Sequence, residues 1–153
     1  MNRLGAEIIR FLRNQSFVIV STIDRNGSPH NSCKGIVKIN RSGFIFLLDL
    51  YKGRTFRNLK RNPRLSITAV DEHRFMGYCL KGKASIITGE KLKSQTIMAW
   101  EKRITRRITQ RVIKNIQEER QHSGHPEALL PKPKYLIVMK VRKVIDLAAH
   151  SPI

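Results

Sequence analysis

Cysteine is nearly absent: Cys33 and Cys79 are the only two in 153 residues. That excludes a disulfide framework and any zinc site built from several cysteines, and it suits a reduced compartment. No apolar run approaches the roughly 20 residues that a membrane-spanning helix requires. The first residues carry Glu7 where a signal peptide would have its apolar stretch. The expectation is therefore a cytoplasmic chain without membrane contact. Carboxylates are scarce as well: 11 Asp+Glu face 30 Lys+Arg, a net charge of +19 with histidine neutral. Such an excess repels itself and favours polyanions or phosphorylated ligands. What is plentiful is ordinary core material. Apolar residues make up 41% of the chain, which argues against wholesale disorder. The length suits a single domain over residues 1–153 that buries about two-thirds of its unfolded surface.

The apolar periodicity reads as strands first, then helix, then strand. Leu4, Ile8, Phe11 and Leu12 recur at helical spacing and predict a short amphipathic helix. Residues 17–24 (FVIVSTID) are β-branched and apolar at their start, as in a strand covered on both faces. Asn26-Gly27 follows, a hairpin signal because both residues tolerate positive φ. Strands at 29–39 and 44–48, joined by the turn 40–43, extend this into an antiparallel meander. Phe56 and Leu59 then mark a short helix over 54–61, stopped by Asn62-Pro63. Strands at 65–70 and 78–87 flank the polar turn Asp71-Glu72-His73. Thr88 reads as the cap of a long helix to about Gln121, whose stripe includes Ile97, Trp100, Ile104, Ile108, Val112 and Ile116. Pro131 and Pro133 mark a linker before a last strand at 135–147. The fold class that results is α+β: a six-stranded antiparallel split β-barrel with a short helix after the third strand and a long helix before the last.

The chemically informative stretch is 49–65 (DLYKGRTFRNLKRNPRL). A strand ends and Lys52-Gly53-Arg54-Thr55 opens a helix. A helix start offers unpaired N–H groups and a positive dipole end. Gly53 lets an anion approach the backbone, Lys52 and Arg54 add charge, and Thr55 adds a hydroxyl. Together these are the parts of a phosphate site. The same four residues also read as the basic start of a helix on a basic protein.

This stretch resembles the pyridoxamine 5'-phosphate oxidase-like FMN-binding split barrels. The resemblance rests on the strand GFIFLLD (43–49), on Gly53-Arg54-Thr55, on Asn58-Leu59 and on Asn62-Pro63-Arg64-Leu65-Ser66. It implies FMN as cofactor, with Arg54 on the first of the family's two basic phosphate ligands. Thr55 falls where the oxidases have Lys, and Lys52 is the neighbouring charge that could substitute. Cys33 and Lys38 sit near the two usual basic positions of the second strand, with Lys34 as the replacement charge. The resemblance further implies Lys34, Gly35 and Asp49 along the ribityl chain and ring, and a homodimer with flavin between subunits. Gly82-Lys83-Ala84 is similar to the family's fifth-strand motif. The oxidases' flavin-contacting Gln aligns with Gly77, and their late Trp and Arg have no match in 135–153. This argues against pyridoxamine phosphate oxidation itself, and leaves flavin-dependent electron or hydride transfer with an unknown substrate.

Other residues read blandly. Cys33 and Cys79 are expected as small buried apolar residues, Trp100 as core, and Asp71, Glu72 and His73 as solvated. His30 at a strand start is a weaker ligand candidate, and His122 with His125 lacks a third metal ligand. Lys102, Arg103, Arg106, Arg107, Arg111 and Lys114 crowd one side of the long helix. They supply one rival reading, a basic nucleic-acid-associated binding module, although no aromatic residues interleave them for base stacking; the other alternative is a non-catalytic flavin carrier.

Overall fold

The computed structural model describes residues 3–49, 51–88 and 135–148, together with Met98 and Lys102. The first helix, α1 (Ala6–Arg13), buries Ile9, Phe11 and Leu12. Six strands follow: β1 (Val18–Ile23), β2 (Pro29–Ile39), β3 (Phe44–Asp49), β4 (Arg64–Asp71), β5 (Met76–Thr88) and β6 (Tyr135–Asp146). A second helix, α2 (Arg54–Arg61), lies between β3 and β4. The bounds of β2 and α2 are those read from the sequence.

The strands form a closed antiparallel barrel in the order β1-β2-β3-β6-β5-β4. The meander therefore extends only from β1 to β3. The free edge of β3 is taken by β6, from Phe44 opposite Lys140 to Asp49 opposite Tyr135. β4 returns to β1, where the ladder is short: Ile19, Val20 and Ser21 face Thr68, Ile67 and Ser66. Closure removes the long exposed strand edges that an open sheet would carry.

The interior is filled by alternate residues of every strand, among them Val20, Ile45, Leu47, Ile67, Leu80, Ile137 and Met139. Burying each such side chain contributes about 1.5–3 kcal/mol. Strand β1 is buried on one face, not two: Val18 and Val20 point inward, while Ile19 is exposed. Helix α1 seals the end of the barrel where β2 turns into β3. The Leu4 N–H donates to the Arg41 carbonyl at 2.8 Å, Arg13 donates to the Ile39 carbonyl at 3.2 Å, and Phe11 meets Tyr78 edge-on at 5.1 Å.

Helix α2 seals the opposite end through a polar peg. Asn58 is buried and donates to Thr22 Oγ1 at 3.0 Å and to Asp24 Oδ1 at 2.8 Å. Arg61 donates to Asn58 Oδ1 at 3.1 Å and to the Ile23 carbonyl at 2.6 Å. The helix that leads into β4 is thereby tied to the end of β1.

Several expectations are corrected. Thr88 is the last residue of β5, paired with Tyr135, so it does not cap a helix. Cys33 is exposed and Cys79 half-buried, because Cys33 lies opposite the outward Ile19 and Cys79 opposite Thr68 in the same row. Asp71 is not merely solvated; it accepts from the His73 and Arg74 N–H groups and shapes the β4–β5 turn. Met98 and Lys102 are helical, but the rest of the expected long helix, with Trp100, Arg106 and Arg107, lies outside the described residues, as do His122 and His125.

The β5–β6 ladder slips by one residue between Lys81 and Gly82. Gly82 faces Val141 and Lys81 faces Lys143, so Arg142 is the extra residue of a bulge. A Cβ on Gly82 would lie 2.0 Å from the Lys140 carbonyl oxygen. Backbone cannot yield as a side chain would. Gly82→Ala is therefore expected to destabilise the barrel by about 1–3 kcal/mol or more, read as a lower urea midpoint with unchanged slope.

Candidate functional site

Helix α2 starts without the usual side-chain cap. Gly53 occupies the cap position, and no acidic residue sits in the first turn. The first N–H groups of the helix are thus not neutralised by a carboxylate of their own turn. Nothing lies within 4 Å of the point where a Cβ on Gly53 would be, so the approach to the backbone is open. Arg54 is largely exposed and stands 4.0 Å from Asp24, a loose pair in which the guanidinium keeps free donors. Thr55 is buried, and its hydroxyl shares a 2.8 Å hydrogen bond with Ser32 of β2. The Lys52 ammonium lies 5.4 Å from the centre of the Phe56 ring, with Lys60 at 5.6 Å from the same ring. Both are within cation–π range.

Lys34 and Asp49 belong to a second, internal cluster. Their charged groups meet at 2.8 Å, with Asp49 buried. The Tyr135 hydroxyl donates to the same carboxylate. Tyr135 is fully buried, and burial, then its hydrogen bond to Asp49 and that group's charge, push its pKa well above the usual 10.0. A buried ion pair is tolerated only when its remaining bonding capacity is met, and Tyr135 helps to meet it. Gly35 pairs with Leu48 beside this cluster.

The two clusters are connected. Phe56 packs edge-on against Tyr135 at 4.9 Å. A chain of contacts thus runs from Lys52 through Phe56, Tyr135 and Asp49 to Lys34, and Ser32, two residues before Lys34 on β2, returns to Thr55. All seven sequence-read candidates (Lys34, Gly35, Asp49, Lys52, Gly53, Arg54 and Thr55) lie on or beside this path. Ser32, Asp24 and Tyr135 were not among them. Beside α2 runs an open cleft of about 930 Å³ lined by Asp24, Arg25, Arg54, Arg57, Lys60 and Arg61, among others. It holds five cations and one carboxylate, an arrangement that suits anionic ligands. No group of three or more metal-ligating side chains occurs among the described residues.

Comparison with known proteins agrees with this fold. A family model described as pyridoxamine 5'-phosphate oxidase matches residues 4–145. No curated protein matches the sequence. Among solved structures, a candidate pyridoxamine 5'-phosphate oxidase from Lactobacillus delbrueckii aligns over 95% of either chain, at 15% identity and a TM-score of 0.66. An F420 reductase aligns over 89% of this chain and 94% of its own, at 14% identity and a TM-score of 0.58. HutZ, a heme storage protein from Vibrio cholerae, aligns over 95% of this chain and 94% of its own, at 19% identity and a TM-score of 0.54. At such identities the likeness establishes the fold.

The internal cluster generates a test. Tyr135→Phe removes one donor from Asp49 and is expected to cost about 1–2 kcal/mol. Asp49→Ala leaves the Lys34 charge unpaired and should cost more, about 3–5 kcal/mol. Tyr135 has a folded pKa above its unfolded value. Its contribution is full below about pH 10 and is lost as pH rises beyond that, because the unfolded chain releases the proton first. Urea unfolding followed from pH 7 to 11 should show the wild type losing stability above pH 10, and Tyr135→Phe losing less. Tyr78, whose pKa burial also raises, keeps the variant's slope from vanishing.

Proposed function

The chain belongs to the pyridoxamine 5'-phosphate oxidase family, and on that premise we propose that it binds FMN, with the phosphate at the start of α2. The observation that carries this reading is the uncapped helix start at Gly53, with open space above it and the exposed Arg54 beside it. Arg54 grips the phosphate, Lys52 adds a second charge, and the Ser32–Thr55 hydroxyl pair completes the donor set. The side chains of Lys34 and Asp49 hold each other. Their part toward the ribityl chain and ring runs through the main chain around Gly35 and the end of β3. The flavin supplies electron or hydride transfer when bound; the protein binds it, orients it and excludes water. The substrate class stays open in this reading, and pyridoxamine phosphate oxidation is not proposed.

We further propose a homodimer with the flavin at the subunit interface. A closed barrel has no edge to offer, so a second copy must pack on its outer face. An apolar band crosses that face. Ile19 is exposed between Cys33 and Thr68 of its neighbouring strands. Val70 and Leu147 are exposed and lie 3.3 and 3.4 Å from where a Cβ on Gly77 would stand. Phe17 and Phe75 are exposed as well. Patches of this kind on a small protein mark association surfaces.

Three experiments test these readings. Purified protein incubated with FMN should retain a yellow chromophore that is released as FMN on denaturation. Arg54→Ala should weaken FMN binding about ten- to a hundredfold, while riboflavin, which lacks the phosphate, binds about as before. Protein that takes up no FMN overturns the assignment. Bleaching of the bound flavin by NADH or NADPH separates an oxidoreductase from a passive flavin carrier. Sedimentation should show a dimer, and Ile19→Lys with Val70→Lys should yield a monomer that binds FMN weakly. A 17.7 kDa wild-type species with flavin bound contradicts the dimer.

A further inference from the structure

Beyond the C-terminal end of α2, away from Gly53, the barrel opens along its closing seam. β1 and β4 pair only as far as Ser21 and Ser66. Past that point β1 continues to Ile23 against β2, and β4 begins at Arg64 against β5. The two strand ends diverge and leave a cleft of about 440 Å³. Leu65, Gly82, Arg64, Lys81, Lys83 and Arg142 are among the residues that line it. No carboxylate lines it among the described residues.

The cations are delivered there by the fold. Arg64 faces Lys83 across the β4–β5 ladder, and Lys81 lies two residues earlier on the same face of β5. Arg142 would alternate away from its neighbour in a regular strand. Instead, the bulge opposite Gly82 turns Arg142 and Lys143 outward in succession, after the buried Val141. The close approach of the Lys140 carbonyl to Gly82 locks that bulge in place. Bulges commonly re-aim a side chain toward a site.

Several cations elsewhere on the barrel have partners: Lys34 pairs with Asp49, Lys38 and Lys140 lie over aromatic rings, and Arg13 and Arg61 donate to carbonyls. The side chains of Arg64, Lys81, Lys83 and Arg142 have no ion pair, ring contact or hydrogen bond among the described residues. The hydroxyl of Ser66, also in the cleft, is equally uncommitted. Four like charges around one concavity repel each other, and a multiply charged anion reverses the sign of that interaction.

We propose that this cleft is a second anion site, separate from the α2 start, for a small ligand of the diphosphate class. The volume falls within the usual range for small-molecule sites, about 300–1,000 Å³. The described lining includes no aromatic residue, so it offers no platform for stacking the bases of a nucleic-acid strand. Arg64 and Arg142 supply forked donors, Lys81 and Lys83 point charges, and Ser66 a hydroxyl.

Calorimetric titration of the full chain with pyrophosphate and with ADP tests this. Saturable binding with Kd below about 1 mM is expected with FMN present in excess to occupy the α2 start, weakening as salt rises. Lys83→Ala with Arg142→Ala, both exposed positions, should lower affinity for either probe at least about tenfold, without moving Tm. Arg54→Ala, read in parallel with FMN, should leave the part of pyrophosphate binding lost in the Lys83→Ala, Arg142→Ala variant unchanged, which keeps this site's failure distinct from that of the flavin site. Absence of saturable binding overturns the proposal. Equal loss from Lys143→Ala with Arg57→Ala overturns it in favour of diffuse charge. Tighter binding of a single-stranded RNA that displaces pyrophosphate overturns it in favour of a nucleic-acid surface.

Discussion

Three residues on each of two strands hold this barrel closed. The Ile19–Ser21 ladder with Ser66–Thr68 is far shorter than the β5–β6 or β3–β6 pairings. Backbone pairing alone would make it the weakest joint. The α2 peg reinforces it from outside: Asn58 and Arg61 bond to Thr22, Asp24 and the Ile23 carbonyl, and so tie the segment entering β4 to the end of β1. Because Asn58 and Arg61 are fixed by the seam, the other end of the same eight-residue helix is fixed too. Placement of Gly53, Arg54 and Thr55 is therefore a by-product of barrel closure. The site needs no rigid loop of its own, since a helix used as a structural bolt already holds it.

Local elements were legible in the sequence because their signals are local. The bounds 29–39 and 54–61 follow from Asn26-Gly27, from the turn at 40–43, and from Gly53 and Asn62-Pro63 around an amphipathic octet. Pairing order was not legible. β3 meets β6 across most of the chain, and nothing near residue 44 announces a partner near residue 140. Thr88 shows the cost of this: taken alone it is a good helix cap, yet a strand edge waiting at Tyr135 claims it. Ile19 and Cys33 were misjudged for a related reason. A run of β-branched residues looks the same whether one face or both are covered.

The candidate site divides along the same line. Lys52, Gly53, Arg54 and Thr55 are contiguous, so their convergence at a helix start could be read directly. The Lys34–Asp49–Tyr135 cluster joins three strands, with the tyrosine 86 positions from its carboxylate partner. Ser32 was passed over because its partner, Thr55, is 23 residues away. Asp49 thus carries a structural duty as well as its position beside the proposed ring site. A half-buried lysine, a buried carboxylate and a buried tyrosine that satisfy one another fix the end of β3 against β6, from which α2 departs.

The position of β6 has a consequence for how the protein is made. Its residues, 135–146, fill the gap between β3 and β5, and they leave the ribosome after every strand they join. Until they arrive, β3 and β5 each present an unpaired edge, and the inward faces of Ile45, Leu47 and Leu80 lack their lid. The contacts that complete the barrel are also those of greatest sequence separation, the kind that slows folding most. The nascent chain therefore passes through an open-sheet stage in which capture by another strand competes with self-closure. A truncation that removes β6 would leave the protein in that stage.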